Sequence, residues 1–457
     1  NPIFESASNH RYDTGDYRKV DPILGTNTDF RKLCAASGDC GIRIVLDGVF
    51  AHTGADSRYF NRFRHYPGCG AYNSTNSVYT HWYDFAHYPN DYRCWWNFRD
   101  LPAINTANPD WRKYMITGEH SVVKAWLRDG ASGWRLDVAD ELPDDVLRGM
   151  RSAAKETNPD SVLLGEVWED AVTKVSYGER RQYALGDALD SVMNYPLRDG
   201  LVTFLTGRST ARALADLLLS QRLNYPRPLY YALMNLTASH DVARTRSALA
   251  LDFDPRSRTR AQLAALDVTD AMAARGAQLQ PLAAAVQFWL PGIPSIYYGD
   301  ETGMQGLCDP FNRAPLQMCD TQMLQWYAQL TALRHAHPAL TRGEVAVFAP
   351  AGDVLCVLRV IADGRDAFGE EAEDEALLLI VNRAAHPVRC HVELTCPGAG
   401  LCEETRLAFV RSEYDCAADC TDDTHIAIRD GVGAFDLPPH AAKIYRLENR
   451  HGTETGS

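Results

Sequence analysis

The chain has 457 residues, of which 46% are hydrophobic and 10% aromatic, and its formal net charge is −13 at pH 7. Such a composition is typical of a globular protein with more than one domain, and it excludes wholesale disorder. The negative charge disfavours nucleic acid and anionic membranes as partners and suits a neutral ligand. No apolar stretch approaches the ~18 residues of a membrane-spanning helix, so no membrane segment is expected.

Residues 1–340 contain short apolar runs that alternate with helical patterns. Strands are predicted at 42–46, 133–137, 162–166, 191–193, 233–239 and 293–297. Helices are predicted at 109–127 behind the start signal Asn108-Pro109, from Pro143 onward, behind a cap at Ser209, at 258–290 and at 321–337. This alternation predicts a parallel sheet wrapped by helices.

Residues 341–448 show a different pattern, with short apolar runs between turns and no competing helical period. Strands are predicted at 345–348, 354–358, 377–381, 388–394 and 441–447. The pattern predicts a small all-β sandwich domain. The acidic segment 363–375 is expected to be an exposed loop, and the tail 449–457 is expected to be disordered.

Three acidic residues close apolar runs in the first part of the chain. They are Asp137 in Gly133-Trp-Arg-Leu-Asp-Val138, Glu166 in Leu163-Leu-Gly-Glu-Val-Trp168, and Asp241 in Ala238-Ser-His-Asp241. A carboxylate at the end of a buried strand is costly unless it is paired, hydrogen-bonded or used in chemistry. Barrel enzymes place their catalytic groups at the ends of parallel strands, so these residues predict an active site. A buried ion-pair network with a purely structural role is the alternative.

The twelve cysteines are scattered along the chain, and their spacings match no zinc motif. Free thiols in a reducing cytoplasm are therefore the favoured interpretation, and the protein is expected to be cytoplasmic. A disulfide among the late cysteines Cys402, Cys416 and Cys420, in a secreted form, is the alternative.

Five strand-end motifs, in this order, resemble the conserved regions of the α-amylase family of glycoside hydrolases. They are Asp47-Gly-Val-Phe-Ala-His52, Gly133-Trp-Arg-Leu-Asp137, Gly165-Glu-Val-Trp168, His240-Asp241 and Gly292-Ile-Pro-Ser-Ile-Tyr-Tyr-Gly-Asp-Glu301. The segments Asn9–Thr14, Leu101–Asn105 and Asp309–Arg313 point to the neopullulanase, cyclomaltodextrinase and maltogenic amylase branch. The resemblance runs from residue 1 to about residue 448.

The resemblance implies a (β/α)8 barrel at 1–340, with an inserted domain at 53–108, followed by the sandwich at 341–448. Because six of eight barrel strands are predicted, the first strand and most of the second are expected upstream of residue 1, behind a further β-rich domain. The 457 residues alone are then expected to be nearly inactive. A homodimer of the full-length protein is compatible with the resemblance.

The resemblance also implies a retaining hydrolase of α-1,4 and, by extension, α-1,6 glucosidic bonds in maltodextrins, cyclodextrins or pullulan. Asp137 would be the nucleophile, kept ionised by Arg135, and Glu166 would be the acid/base, protonated because its pKa is raised by the nearby charge. Asp241 would hold sugar hydroxyls. Substrate-binding roles are implied for Tyr12, His52, Arg135, Trp168, His240, Asp309 and Arg313.

Ala51 stands where the family usually has an asparagine that often ligates calcium, so neither calcium nor another metal is expected. The aromatic stretch Tyr92–Phe98 is interpreted as packing of the inserted domain, with a sugar platform as the alternative. Two other functions stay open. One is a non-catalytic relative, such as the extracellular part of an amino-acid-transporter heavy chain, and the other is a transglycosylase or isomerase of the same sugars.

Overall fold

The structure, a computed structural model, describes residues 1–394, 404–409, 425–429 and 431–449. It divides into two compact units, residues 1–193 and 194–457. The predicted limits of the three domains stay predictions. Within the described residues, no helix is both long and apolar enough to cross a membrane.

The first unit contains ten strands within its described residues. They are β1 (Phe4–Ser6), β2 (Thr14–Val20), β3 (Val45–Gly48), β4 (Phe85–His87), β5 (Asp91–Tyr92), β6 (Gly133–Leu136), β7 (Val162–Gly165), β8 (Val175–Ser176), β9 (Glu179–Arg180) and β10 (Ser191–Val192). Its α-helices are α1 (Asn27–Asp39), α2 (Pro109–Arg112), α3 (Val122–Arg128) and α4 (Asp144–Thr157). Short 3-10 turns lie at Thr80–Trp82, Trp95–Asn97 and Ala139–Glu141.

A parallel sheet with the order β10-β7-β6-β3 forms the centre of the first unit. Its four strands are the first four that the sequence predicts, although β3 lies three residues later at its start than the predicted run. The strands are short, and Trp134 of β6 is fully buried against Phe4 and Phe50. Phe4 of the β1–β2 hairpin therefore packs against the sheet.

The predicted helix at 109–127 is wrong in its continuity. After α2 the chain makes a π-helical turn at Lys113–Thr117, and Gly118 then adopts an extended conformation. A Cβ atom on Gly118 would lie 2.5 Å from the carbonyl oxygen of Lys113. The Ser121 side chain accepts a hydrogen bond from the N–H of Lys124 and starts α3. A glycine followed by a capping serine therefore divides the segment into two helices.

The second unit contains eight helices within its described residues. They are α5 (Tyr195–Leu205), α6 (Ala211–Asn224), α7 (Arg227–Tyr230), α8 (Thr245–Ala250), α9 (Arg260–Ala264), α10 (Asp270–Trp289), α11 (Thr321–Ala336) and α12 (Pro338–Arg342). A 3-10 turn lies at Pro255–Ser257. The strands β11 (Met234–Leu236) and β12 (Ile293–Ser295) pair in parallel, as the sequence predicts for these two runs.

One helix of this unit was not predicted, and two helical predictions need correction. The helix α5 was not predicted, although Asn194 caps it and Pro196 lies in its first turn. Thr210, and not Ser209, caps α6, because its side chain accepts a hydrogen bond from the N–H of Ala213. The stretch 258–290 is divided into α9 and α10 by an intervening segment in which Thr269 caps the second helix.

Eight antiparallel strands form the C-terminal sheet of this unit. They are β13 (Glu344–Ala351), β14 (Val354–Ile361), β15 (Glu375–Asn382), β16 (Val388–Glu393), β17 (Glu404–Phe409), β18 (His425–Arg429), β19 (Val432–Leu437) and β20 (Ala441–Asn449), in the order β13-β14-β15-β20-β17-β18-β19-β16. Buried side chains from both halves of this order, including Cys356, Ile380, Cys390 and Phe435, share one core. The sheet thus folds over itself as a sandwich, and the all-β prediction is confirmed.

The predicted disordered tail at 449–457 is wrong at its first residue, because Asn449 ends β20. The remainder of the tail lies outside the described residues. The late cysteines Cys402, Cys416 and Cys420 also lie outside them. The eight cysteines that the structure does describe are free thiols.

Arg359 of β14 ties the sandwich to preceding elements of the second unit, and its substitution is expected to destabilise the protein. Its buried guanidinium donates to the carbonyl oxygens of Trp289 at 2.7 Å, Leu340 at 2.8 Å and Gly343 at 2.9 Å. Arg359→Met should lower the free energy of unfolding by about 3 kcal/mol, because three buried acceptors lose a charged donor. Urea unfolding measures this. The exposed Arg389→Met is the matched control, and equal effects of the two substitutions would contradict the assignment.

Candidate active site

Three carboxylates of the first unit lie at one edge of its parallel sheet. Asp47 lies within β3, and Asp137 and Glu166 directly follow β6 and β7. The N–H of Asp137 donates to the carbonyl oxygen of Gly48, and the N–H of Glu166 donates to that of Leu136, each at 3.0 Å. The ladder therefore continues one residue past each strand and fixes both acids at the carboxyl edge, where the sequence predicts them.

One buried arginine contacts all three acids, and the four residues are called the Arg135 cluster below. Arg135 Nη1 donates to Asp47 Oδ1 at 2.7 Å and to Asp137 Oδ1 at 3.0 Å, and Nη2 forms an ion pair with Glu166 Oε2 at 2.8 Å. All four residues are largely buried. Asp47 was not predicted as a site residue, although it opens the first motif. In the parallel pair of β3 and β6 it lies opposite Arg135.

The electrostatics of the Arg135 cluster differ from the sequence-based expectation. Burial raises the pKa of Asp137 well above its usual range, and Arg135 offsets this only in part, while Glu166 and Asp47 raise it further. Burial also opposes ionisation of Asp47, but Arg135 and the other groups around it, including the hydroxyl of Tyr12, together lower the pKa of Asp47. One guanidinium faces three buried carboxyl groups, so it does not fully offset the effect of burial on the pKa of Asp137. The expectation that Arg135 keeps Asp137 ionised is therefore corrected.

Both carboxylate oxygens of Glu166 accept hydrogen bonds. Oε2 accepts from the main-chain N–H of Val138 at 2.8 Å, and Oε1 accepts from Trp168 Nε1 at 3.0 Å. Val138 has a left-handed backbone (φ 38°), which is unfavourable for a β-branched residue. Gly165 lies just before Glu166, and a Cβ atom there would lie 2.5 Å from the side chain of Leu189. The orientation of Glu166 thus depends on tight local geometry on both sides.

Tyr12 and His52 lie next to the Arg135 cluster. The hydroxyl of Tyr12 donates to Asp47 Oδ2 at 2.8 Å, and the Tyr12 carbonyl oxygen lies 3.0 Å from His52 Nε2. Burial lowers the pKa of His52 to about 4, so the imidazole is neutral at pH 7. Because Nε2 faces a carbonyl, it carries the proton, which leaves Nδ1 as an acceptor. Nδ1 is buried, and no group of the described residues forms a hydrogen bond with it.

The other predicted site residues lie together in the second unit. His240 Nε2 lies 3.1 Å from Asp241 Oδ2, and Arg313 Nη2 lies 3.7 Å from Asp241 Oδ1. Arg313 Nε donates to the carbonyl oxygen of His240 at 3.2 Å and lies 3.0 Å from Asp309 Oδ1. Asp241, His240, Asp309 and Arg313 therefore form one contiguous set.

Asn312 is a residue that sequence reasoning missed. Its fully buried amide donates to the carbonyl oxygens of Ser239, His240 and Val242 at 3.0, 2.9 and 2.8 Å. These carbonyls flank Asp241 on both sides. Its position beside Arg313 in the Asp309–Arg313 motif was the available signal.

The residues present do not fit the calcium site that the family resemblance suggests. Ala51 offers only its main-chain carbonyl, which accepts a hydrogen bond from the N–H of Ile104. Across the part of the chain that the structure describes, no group of three or more His, Cys, Asp or Glu side chains is arranged to hold a metal ion. The lack of a metal in this protein stays a prediction.

Comparison with known proteins identifies a family and several relatives. The model of the α-amylase catalytic domain matches residues 1–318. The chain is 35% identical over 427 residues to an amylopullulanase of Thermoanaerobacterium thermosulfurigenes, covering 86% of this chain and 22% of that protein. It is 31% identical over 395 residues to a cyclomaltodextrinase of Geobacillus thermopakistaniensis, covering 84% of this chain and 58% of that protein.

A solved structure shares the fold. The cyclic α-maltosyl-(1→6)-maltose hydrolase from Arthrobacter globiformis, in complex with that sugar, has a TM-score of 0.72 and 26% identity, over 97% of this chain and 84% of the other. The (β/α)8-barrel fold class is thereby confirmed, and the described residues contain six of its parallel strands. The chain spans less than two thirds of the length of the two curated relatives described above.

The raised pKa of Asp137 predicts a pH-dependent effect of Asp137→Asn on stability. A carboxyl whose pKa is higher in the folded state contributes stability that is complete below its unfolded pKa, about 3.9, and is lost as the pH rises through the folded pKa. The free energy of unfolding of Asp137→Asn, relative to the unsubstituted protein, should therefore rise from pH 4 upward and then level off. Urea titrations at a series of pH values measure it.

The matched control for this pH series is Asp100→Asn. The side chain of Asp100 is 84% exposed. Its substitution should leave the pH dependence of unfolding unchanged. A difference between Asp137→Asn and the unsubstituted protein that stays constant with pH would contradict the protonation of Asp137.

Asn312→Ala is expected to lower the free energy of unfolding by about 2 kcal/mol, because three buried carbonyls lose their shared donor. The exposed Asn224→Ala, in the same unit, should change it little. Thermal unfolding of both variants provides the comparison. If Asn312→Ala melts like Asn224→Ala, its amide does not hold the loop that carries Asp241.

Proposed function

This chain belongs to the α-amylase family, and we propose that it is a retaining glycoside hydrolase that cleaves α-1,4-glucosidic bonds. The observation that supports this most directly is the Arg135 cluster. One guanidinium contacts both Asp137 and Glu166, so their carboxyl groups lie within the span of one side chain. A retaining mechanism requires two carboxyl groups at such a short separation.

In the proposed first step, an oxygen of Asp137 attacks the anomeric carbon of a glucosyl unit. Glu166 donates its proton to the glycosidic oxygen, and the bond breaks with its electron pair on the departing sugar. In the second step, Glu166 takes a proton from water, whose oxygen attacks the same carbon and releases Asp137. Two inversions leave the anomeric configuration unchanged.

The reactive form needs Asp137 ionised and Glu166 protonated. The raised pKa of Asp137 favours its protonated form in the geometry described. Arg135, which contacts both groups, lowers the pKa of Asp137 and so favours the reactive form.

The remaining site residues are proposed to bind sugar. Tyr12 would stack on the ring at the cleaved bond, and Nδ1 of the neutral His52 would accept a hydrogen bond from a hydroxyl. Trp168 would border the leaving group beside Glu166. In the second unit, Asp241 and His240 would bind sugar hydroxyls, as would Asp309 and Arg313.

The proposed substrates are maltodextrins, cyclodextrins and pullulan, and in pullulan the proposed cleavage includes the α-1,6 bonds. The names of the relatives, an amylopullulanase and a cyclomaltodextrinase, support this range. The eight free thiols among the described residues favour a reducing compartment, so a cytoplasmic location is part of the proposal. A homodimer of the full-length protein stays a prediction.

Glu166→Gln in the full-length protein tests the proposed mechanism. Without its acid, the enzyme should lose at least three orders of magnitude in kcat on maltotriose, β-cyclodextrin and pullulan, whose leaving groups need protonation. It should still release an activated aryl group from 2,4-dinitrophenyl α-glucoside, which departs without a proton. Glu169→Gln, an exposed acid three residues away, is the control. Equal losses on both substrate types would contradict the acid role.

A further inference from the structure

The loop at residues 94–102 exposes two large aromatic rings. The base of the loop is closed by a β-bridge between Cys94 and Pro102. At its tip, 66% of Trp96 and 56% of Phe98 are exposed. The interpretation of this stretch as packing of an inserted domain holds for the buried Tyr92 but is wrong for these two residues.

The exposed rings form an ordered stack. Trp96 lies on Trp95, with ring centroids 4.7 Å apart and planes within 6°, and Phe98 lies 6.0 Å from Trp95 at 25°. One face of Trp96 is therefore covered by Trp95, and the other is open. Trp96 (φ 47°) and Asn97 (φ 64°) are both left-handed, which is unfavourable for a bulky residue. Neither backbone preference nor burial of apolar area explains this outward orientation.

Two of the three rings, Trp95 and Trp96, make further contacts that hold them in place. The Trp95 ring lies 5.2 Å from that of His52, and Trp96 Nε1 donates to Glu141 Oε1 at 3.2 Å. The hydroxyl of Tyr177 donates to the same oxygen of Glu141. A surface ring that is already held in place loses little conformational entropy when a ligand stacks on it.

The same contacts connect the stack to the Arg135 cluster within the first unit. His52 contacts the carbonyl oxygen of Tyr12, whose hydroxyl donates to Asp47. On the other side, Glu141 closes the 3-10 turn that begins two residues after Asp137. The stack is therefore attached at two points to segments that hold the cluster.

We propose that Trp96 and Phe98 form a separate sugar-binding position, at which a glucosyl unit of an α-glucan stacks away from the bond that is cleaved. The ligand class rests on the proposed function. Large exposed aromatic surfaces mark binding sites, and an open aromatic face suits the C–H face of a pyranose. The net charge of −13 favours an uncharged ligand of this kind.

The test compares long and short substrates on the full-length protein. Trp96→Ala should raise KM for maltoheptaose about tenfold more than KM for 4-nitrophenyl α-maltoside, because only the longer sugar reaches the stack. Trp96→Phe keeps an aromatic face, so its KM for maltoheptaose should stay close to that of the unsubstituted protein. Phe63→Ala, an exposed aromatic without a place in the stack, should leave both KM values unchanged.

Binding is measured separately from turnover. In the Glu166→Gln background, maltoheptaose should quench tryptophan fluorescence, and Trp96→Ala should weaken its affinity about tenfold. Equal KM changes for both substrates, or unchanged affinity, would overturn the proposal. If Trp96→Ala changes the oligomeric state but not the affinity for maltoheptaose, the proposal is also overturned. Trp96 would then form a contact between two copies of the chain. If the protein binds maltoheptaose through Trp96 but cleaves no glucan, the proposed function fails and this binding position stands.

Discussion

A single buried guanidinium organises the first unit. Carboxylates removed from water are costly unless a charge and hydrogen bonds compensate them, and Arg135 provides both for three of them. The parallel sheet places Arg135 between its partners, with β3 on one side and β7 on the other. Buried ion pairs rarely repay their desolvation in stability. Their presence here is better explained by the chemistry proposed for Asp137 and Glu166.

In the second unit, the groups that need hydrogen-bond donors are main-chain carbonyls and not carboxylates. Asn312 and Arg359 each donate hydrogen bonds to three main-chain carbonyls. In one case the carbonyls surround Asp241, and in the other they join the sandwich to the preceding helices. A side chain with several N–H groups thus fixes an irregular segment, where no regular ladder is available.

The sequence predicted the elements that are local and periodic. The strands that end at Asp137 and Glu166 were found because short apolar runs stop at an acid. The break at Gly118 was not predicted, because it depends on how closely the carbonyl oxygen of Lys113 approaches. The raised pKa of Asp137 depends on its burial among other acids, which only the folded chain determines. The exposure of Trp96 could not be predicted, because aromatic runs usually mark a core.

The hydrogen bond from Val138 to Glu166 has an evolutionary consequence. Its donor is a main-chain N–H group, which every residue except proline possesses. Single substitutions at position 138 can change the side chain beside Asp137, yet nearly all of them keep this donor. The hydrogen bond that orients Glu166 is therefore buffered against mutation at residue 138. Sequence drift at this position can vary the side chain next to the two acids while Glu166 keeps its main-chain donor.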